Sequence, residues 1–235
     1  KLVDEAGIDI VLVGDSVGMV CLGYETTLPV TMADMLHHVS AVVRAVKRAL
    51  IVADMPFGSY RNRQVAVKNG RAFLQAGAEA VKLEGGLGII RQVRALVEAR
   101  IPVMGHLGML PQSIREIGGY KVQGRTRREA AQMLEDALRL EQAGVFSIVL
   151  ECVPRSLAGR LTRDDRIPTI GIGAGPQTDG QVLVLHDLLG FESKVHPRFV
   201  RRYARLDLVI RKALSRWRAD VIGGKFPALR ESFPD

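Results

Sequence analysis

Four acidic residues and one lysine stand at or just beyond the ends of short apolar runs in this chain: Asp15, Asp54, Lys82, Glu84 and Glu151. Two carboxylates brought together without a counter-charge repel, so one would have to keep a proton. A divalent cation removes that conflict. Oxygen ligands with several retained waters suit Mg²⁺, whereas a zinc site asks for His or Cys. Asp15 and Asp54 are therefore a candidate metal pair, although an aspartate in this position also serves as a helix N-cap. Glu84 in the same set weakens the capping account. Lys82 and Glu84 lie two apart on one run, so they share a face while Val81 and Leu83 take the other. A buried lysine needs a partner, which Glu84 or a substrate carboxylate would supply. A Schiff-base role would need a depressed lysine pKa, and acidic neighbours act the other way. Glu151 is either a cap or a base for proton abstraction. Cys152, next to it, reads as a packed apolar residue, and the only other cysteine is Cys21. His106 fits a hydrogen bond in the site and a structural role equally well. His37 and His38 read as surface residues on a helix.

The elements that must position these groups alternate in type. Apolar runs at Ile8–Val13, Ala49–Ala53, Ala80–Leu83, Ile101–Gly105, Val145–Leu150, Pro168–Ile172 and Gln181–Leu185 suit strands buried on both faces, as in a parallel sheet. Amphipathic stretches separate them: Met32–Arg48, Gln64–Ala76, Ile89–Ala99 and Thr126–Ala143, with Gly77 and Gly144 at C-cap positions. Every run ends in polar or glycine-rich chemistry, the last at His186-Asp187. A doubly wound sheet gathers ligand groups mainly at one switch point. A closed barrel brings all its strand ends around one mouth, so the pattern favours a (β/α)8 TIM barrel. A closed barrel needs eight strands and seven are read here. Lys1–Ala6 reads as the end of a helix capped by Gly7, so a first strand is expected to be missing from this chain, a genuine seven-strand variant being the alternative. Gly171–Gly175 resembles a dinucleotide loop only weakly and reads more simply as a tight turn. Gly118–Arg125 suits a loop over the mouth or a subunit contact.

The hydrophobic share of 47% excludes a disordered chain, and two cysteines exclude a disulfide framework. No apolar run approaches the roughly 18 residues of a membrane helix, and no secretory signal opens the chain. The expectation is a soluble, cytoplasmic protein of one barrel domain, 1–235. The net charge of +8 sits mostly in the tail. Lys194–Asp235 carries 11 Lys and Arg against 4 Asp and Glu, leaving 22 against 21 for the rest. Arg198–Arg218 reads as an amphipathic helix with a basic face. No recognisable nucleic-acid module accompanies it, so nucleic acid is not an expected partner.

Several longer segments carry a resemblance. Val13-Gly-Asp-Ser16, Thr27-Leu-Pro-Val-Thr31, Ala53-Asp-Met-Pro-Phe57, Val81-Lys-Leu-Glu-Gly-Gly86, Gly105-His-Leu-Gly108, Pro111-Gln-Ser113 and Leu150-Glu-Cys-Val-Pro154 resemble, in order, the ketopantoate hydroxymethyltransferase family. The resemblance implies a barrel of the phosphoenolpyruvate/pyruvate superfamily that binds Mg²⁺. It implies metal ligation by Asp15 and Asp54, with Glu84 completing or supporting the site. It implies substrate binding by Asp15, Ser16, Asp54 and Lys82, and Glu151 as the catalytic base. The implied reaction moves a hydroxymethyl group from 5,10-methylenetetrahydrofolate to 3-methyl-2-oxobutanoate in pantothenate biosynthesis. A homo-oligomer, decameric in many members, is implied as well. Glu231 departs from the family pattern, which has histidine there. Another Mg²⁺-dependent enzyme of the same barrel class, such as a lyase of a 2-oxo acid, and a non-catalytic truncated barrel remain as alternative readings.

Overall fold

A computed structural model describes residues 1–113, 119, 121–191 and 197–234. They form two compact units, Lys1–Val182 and Leu183–Asp235. The first unit holds a seven-stranded sheet, in the order of the chain and parallel throughout: β1 (Ile10–Val13), β2 (Leu50–Asp54), β3 (Ala80–Glu84), β4 (Val103–Gly108), β5 (Ser147–Glu151), β6 (Thr169–Ile172) and β7 (Gly180–Gln181). Among the described residues β1 and β7 are the two edges and do not pair with each other. Helices α1 (Leu2–Glu5), α2 (Val17–Val20), α3 (Met32–Val43), α4 (Arg63–Gln75), α5 (Ile90–Glu98), α6 (Arg127–Ala143) and α7 (Arg155–Asp164) alternate with the strands.

The two faces of the sheet are packed differently, and this identifies the architecture. Val13, Ile51, Ala53, Val81, Leu83, Val103, Ile148 and Leu150 pack against Met35, Val39, Phe73, Val93, Leu96 and Leu140 of the helices. The alternate residues Val52, Ala80, Met104 and Val149 form a separate cluster with Ile10, Leu12, Leu50, Ile170 and Ile172. That second cluster contains residues of the strands and their margins only. Helices on one face and strand-only packing on the other are the marks of a barrel wall rather than of a doubly wound sheet.

Local signals set the helix ends. Thr31 caps α3 and Thr126 caps α6, each in a reciprocal capping box, with Asp34 and Glu129 as the third residues. Gly144 closes α6 in the left-handed region at φ 95°. Where α4 and α5 pack, a Cβ on Gly70 would lie 2.8 Å from the Leu96 side chain. Helix α3 stops at Val43 rather than at Arg48, and residues 44–49 form the turn into β2.

Two expectations are corrected. The seventh run was expected at Gln181–Leu185, but β7 is only Gly180–Gln181, and Leu185–Leu189 forms helix α8 in the second unit. His186 and Asp187 therefore belong to a helix and not to a strand end. A continuous apolar run such as Val182–Leu185 does not distinguish strand from helix by periodicity. In the tail, helix α9 is Leu206–Ile222 rather than Arg198–Arg218, and none of its residues is buried. Gly118 and Tyr120, in the segment expected to form a loop over the mouth, lie outside the described residues, as does Lys194 at the start of the basic tail. No helix among the described residues is long and apolar enough to cross a membrane.

Candidate active site

The site is built by strand parity. Leu50, Val52 and Asp54 alternate along one face of β2, and Ala80, Lys82 and Glu84 do the same on β3. Met104 and His106 follow on β4, and Val149 and Glu151 on β5. The parallel register sets Asp54 beside Lys82 and Glu84 beside His106. On β2 and β3 the inner face thus begins with apolar residues and ends with charged ones, and His106 and Glu151 follow Met104 and Val149 in the same way on β4 and β5.

These side chains meet. Lys82 Nζ lies 2.9 Å from Asp54 Oδ1 and 3.1 Å from His106 Nδ1. An ammonium has no lone pair to offer, so Nδ1 is the acceptor and the imidazole proton sits on Nε2. That Nε2 is 3.2 Å from Glu151 Oε2. On the other flank, the Asp15 amide donates to Asp54 Oδ2 at 3.3 Å. Glu84 Oε1 is 3.6 Å from His106 Nδ1 and has no hydrogen-bond partner. Asp15, Asp54, Lys82, Glu84 and His106 are all buried, while Glu151 is slightly open, its side chain 14% exposed. Ser16, half-buried at the N-terminus of α2, makes no capping hydrogen bond with its side chain. A Cβ on Gly14 would lie 3.1 Å from Ser16 Oγ and 3.9 Å from Asp54 Oδ2, so the missing side chain at Gly14 leaves space between those groups.

The charges are unbalanced. Burial, and then the charge of Asp54, push the Asp15 carboxyl up to about 8. Burial raises Asp54 as well, against the opposing pull of Lys82. Burial acts to discharge Lys82, but Asp54, Glu84 and Asp15 outweigh it, and the ammonium is held charged. This removes the Schiff-base reading of Lys82, which needs the opposite shift. A further cation is what the cluster calls for. Asp15 and Asp54 offer carboxylate oxygens, and Glu84 keeps one oxygen without a hydrogen bond, so the residues fit Mg²⁺ by donor chemistry. Among the described residues no group of three or more His, Cys, Asp or Glu side chains forms a ready metal cage. Such a cage is not what Mg²⁺ requires, because it keeps several waters and takes only one or two carboxylates together with substrate oxygens.

Sequence reasoning missed two contributors. Gln112, in the 3₁₀ turn Pro111–Ser113 after β4, donates from Nε2 to Asp15 Oδ2 at 2.9 Å. Tyr60 donates its hydroxyl to Gln112 Oε1 at 2.6 Å. The turn was noted only as part of a motif, and nothing local to it indicated a partner 97 residues away. His106, left open by the sequence, belongs to the site. His37 and His38 stack edge to face on α3 with ring centroids 5.3 Å apart. Cys152 is half-buried at φ 48°, its thiol pushed up to about 11 by burial, so it is no nucleophile at neutral pH. Both cysteines are free. Gly171 and Ile172 belong to β6 rather than to a turn, and the glycine serves close packing: a Cβ on Gly171 would lie 2.6 Å from Thr178 Oγ1.

A family model described as ketopantoate hydroxymethyltransferase matches residues 1–229. The chain belongs to the ketopantoate hydroxymethyltransferase family. It is 54% identical to the 3-methyl-2-oxobutanoate hydroxymethyltransferase of Syntrophomonas wolfei, over 99% of this chain and 85% of that protein. With the enzyme of the same name from Moorella thermoacetica the identity is 55%, over 99% of this chain and 87% of that one. Among solved structures, 2,3-dimethylmalate lyase, described as a PEP mutase/isocitrate lyase superfamily member, superposes with a TM-score of 0.58 at 14% identity, covering 98% of this chain and 78% of that one. Oxaloacetate acetylhydrolase gives 0.56 at 11% identity, covering 99% and 81%. At these identities the two structures speak to the fold alone, and they agree with the barrel wall read from the packing of the family member described above.

Proposed function

We propose that the chain transfers a hydroxymethyl group from 5,10-methylenetetrahydrofolate to 3-methyl-2-oxobutanoate, giving 2-dehydropantoate and tetrahydrofolate in pantothenate biosynthesis. The observation that carries this reading is the joined row Asp54–Lys82–His106–Glu151 at the strand ends, in a chain of this family. Asp15 and Asp54 would hold Mg²⁺, with Glu84 beside them. When bound, the cation supplies Lewis-acid stabilisation of the negative charge that develops on the substrate's keto oxygen. The charged Lys82 and the Ser16 hydroxyl bind and orient the 2-oxo acid through its carboxylate and keto oxygens. Glu151 takes the proton from C3, with His106 Nε2 3.2 Å away to hold the carboxylate in place. C3 then bonds to the methylene carbon of the folate, whose carbon–nitrogen bonds break. Water supplies the hydroxyl, and the nitrogens recover their protons.

The test needs no folate. Proton NMR of 3-methyl-2-oxobutanoate in D₂O follows loss of the C3 hydrogen signal, first with Mg²⁺ and then with EDTA. Exchange is expected with Mg²⁺ only, and Glu151→Gln should slow it by about 10²–10⁴-fold. A folded protein that promotes no exchange in Mg²⁺ would rule the reading out.

A further inference from the structure

We propose that Gln112 is a positioning residue: it determines which oxygens of Asp15 and Glu84 stay open to a divalent cation, and Tyr60 fixes the orientation of its amide. The inference rests on the Mg²⁺ reading of the site given above.

The Gln112 side chain is buried, and its hydrogen-bonding capacity is closely matched. Nε2 donates to Asp15 Oδ2 and to the Met55 carbonyl, both at 2.9 Å. The backbone N–H donates to Glu84 Oε2 at 3.0 Å. Oε1 accepts from the Tyr60 hydroxyl at 2.6 Å. The amide has only one workable orientation. The Met55 carbonyl can only accept, so the NH₂ group must face it, and it reaches Asp15 Oδ2 from the same side. Tyr60 then donates to the oxygen on the other side. A flipped amide would set Oε1 against the Met55 carbonyl, acceptor to acceptor.

The consequence is a division of oxygens. Asp15 gives Oδ2 to Gln112, so Oδ1 stands outside that bond. Glu84 gives Oε2 to the Gln112 backbone and keeps Oε1, the atom that has no hydrogen-bond partner. Two carboxylates from different strand ends are thereby held by one residue, each through one of its two oxygens. Gln112 follows β4, Asp15 follows β1, Met55 follows β2 and Glu84 ends β3, so this one side chain and its amide tie together the ends of four strands. Lys82 also lies close to these acids, but it is a cation and repels a metal, whereas an amide neutralises nothing and only orients.

Mn²⁺ is the probe, titrated into the full chain without substrate and followed by the EPR signal of the free ion. Gln112→Met keeps length and removes the donors and acceptor. It should weaken Mn²⁺ binding by about 10–100-fold, the usual cost of losing a group that orients a metal ligand. Tyr60→Phe should weaken it in the same direction but less. In turnover, the Mg²⁺ concentration for half-maximal rate should rise by a matching factor, and saturating Mg²⁺ should restore most of kcat. A merely structural loss would not be rescued by the cation. Wild-type Mn²⁺ affinity in a folded Gln112→Met protein would overturn the proposal. If that variant does not fold, unchanged affinity in Tyr60→Phe would do so instead. A wild-type chain that binds no Mn²⁺ would overturn the Mg²⁺ reading itself, a result distinct from failure of the variants alone.

Discussion

The inner face of the sheet has two ends that differ in almost every respect although the same strands build both. At the start of the strands Val52, Ala80, Met104 and Val149 pack as a dry apolar layer. One or two positions along, Asp54, Lys82, Glu84, His106 and Glu151 meet as a buried polar cluster. The first layer gains free energy from burial alone. The second must offset the loss of hydration with ion pairs and hydrogen bonds, and the raised Asp15 and Asp54 pKa values show that it does so incompletely. The apolar layer supports stability, and the polar layer spends part of it to hold reactive groups together.

Lys82→Met should test that contrast most severely. It removes the ammonium that Asp54 and its acidic neighbours face, and breaking a buried pair from one side costs about 3–5 kcal/mol. Urea unfolding in EDTA measures the loss, and Mg²⁺ should stabilise this variant more than it does the wild type. Equal stabilisation of both would show that the cation does not answer the same charge. Met104→Ala in the apolar layer should cost about 2–5 kcal/mol in the same assay. Its kcat per folded molecule should stay near that of the wild type, and a large fall would mean that the two ends are not separable. The smallest expected effect is in pH. The Asp15 carboxyl, held near 8 in the folded chain against 3.8 for the free group, keeps a proton that the unfolded chain gives up. In EDTA this contribution is fully present below pH 3.8 and is lost as pH rises through 8, so the melting temperature should fall across that window. The slope should flatten in Asp15→Asn.

Much of this was legible in the sequence because it depends on periods of two. Lys82 and Glu84 were placed on one face by spacing alone, and Val81 and Leu83 do pack on the other, against the helices. Strands β1 to β6 fall within or next to the apolar runs read for them. The rest depends on tertiary geometry. Gln112 and Tyr60 reach the acids from turns whose local composition carries no sign of it, and His106 had two equally good readings until its neighbours were in place. The last run failed for a different reason: Val182–Leu185 is apolar without alternation, and the chain turns it into the approach to a helix.

The register Asp54 to Lys82 and Glu84 to His106 also guards the alignment of the sheet itself. Sliding β3 by one residue would turn Lys82 and Glu84 outward into the space that Val81 and Leu83 fill, where no opposite charge awaits them, and would bring two aliphatic side chains into the mouth. An apolar strand misaligned in this way would lose packing. This one would also strand two bare charges in hydrocarbon, so the groups that weaken the correct fold penalise the incorrect ones far more.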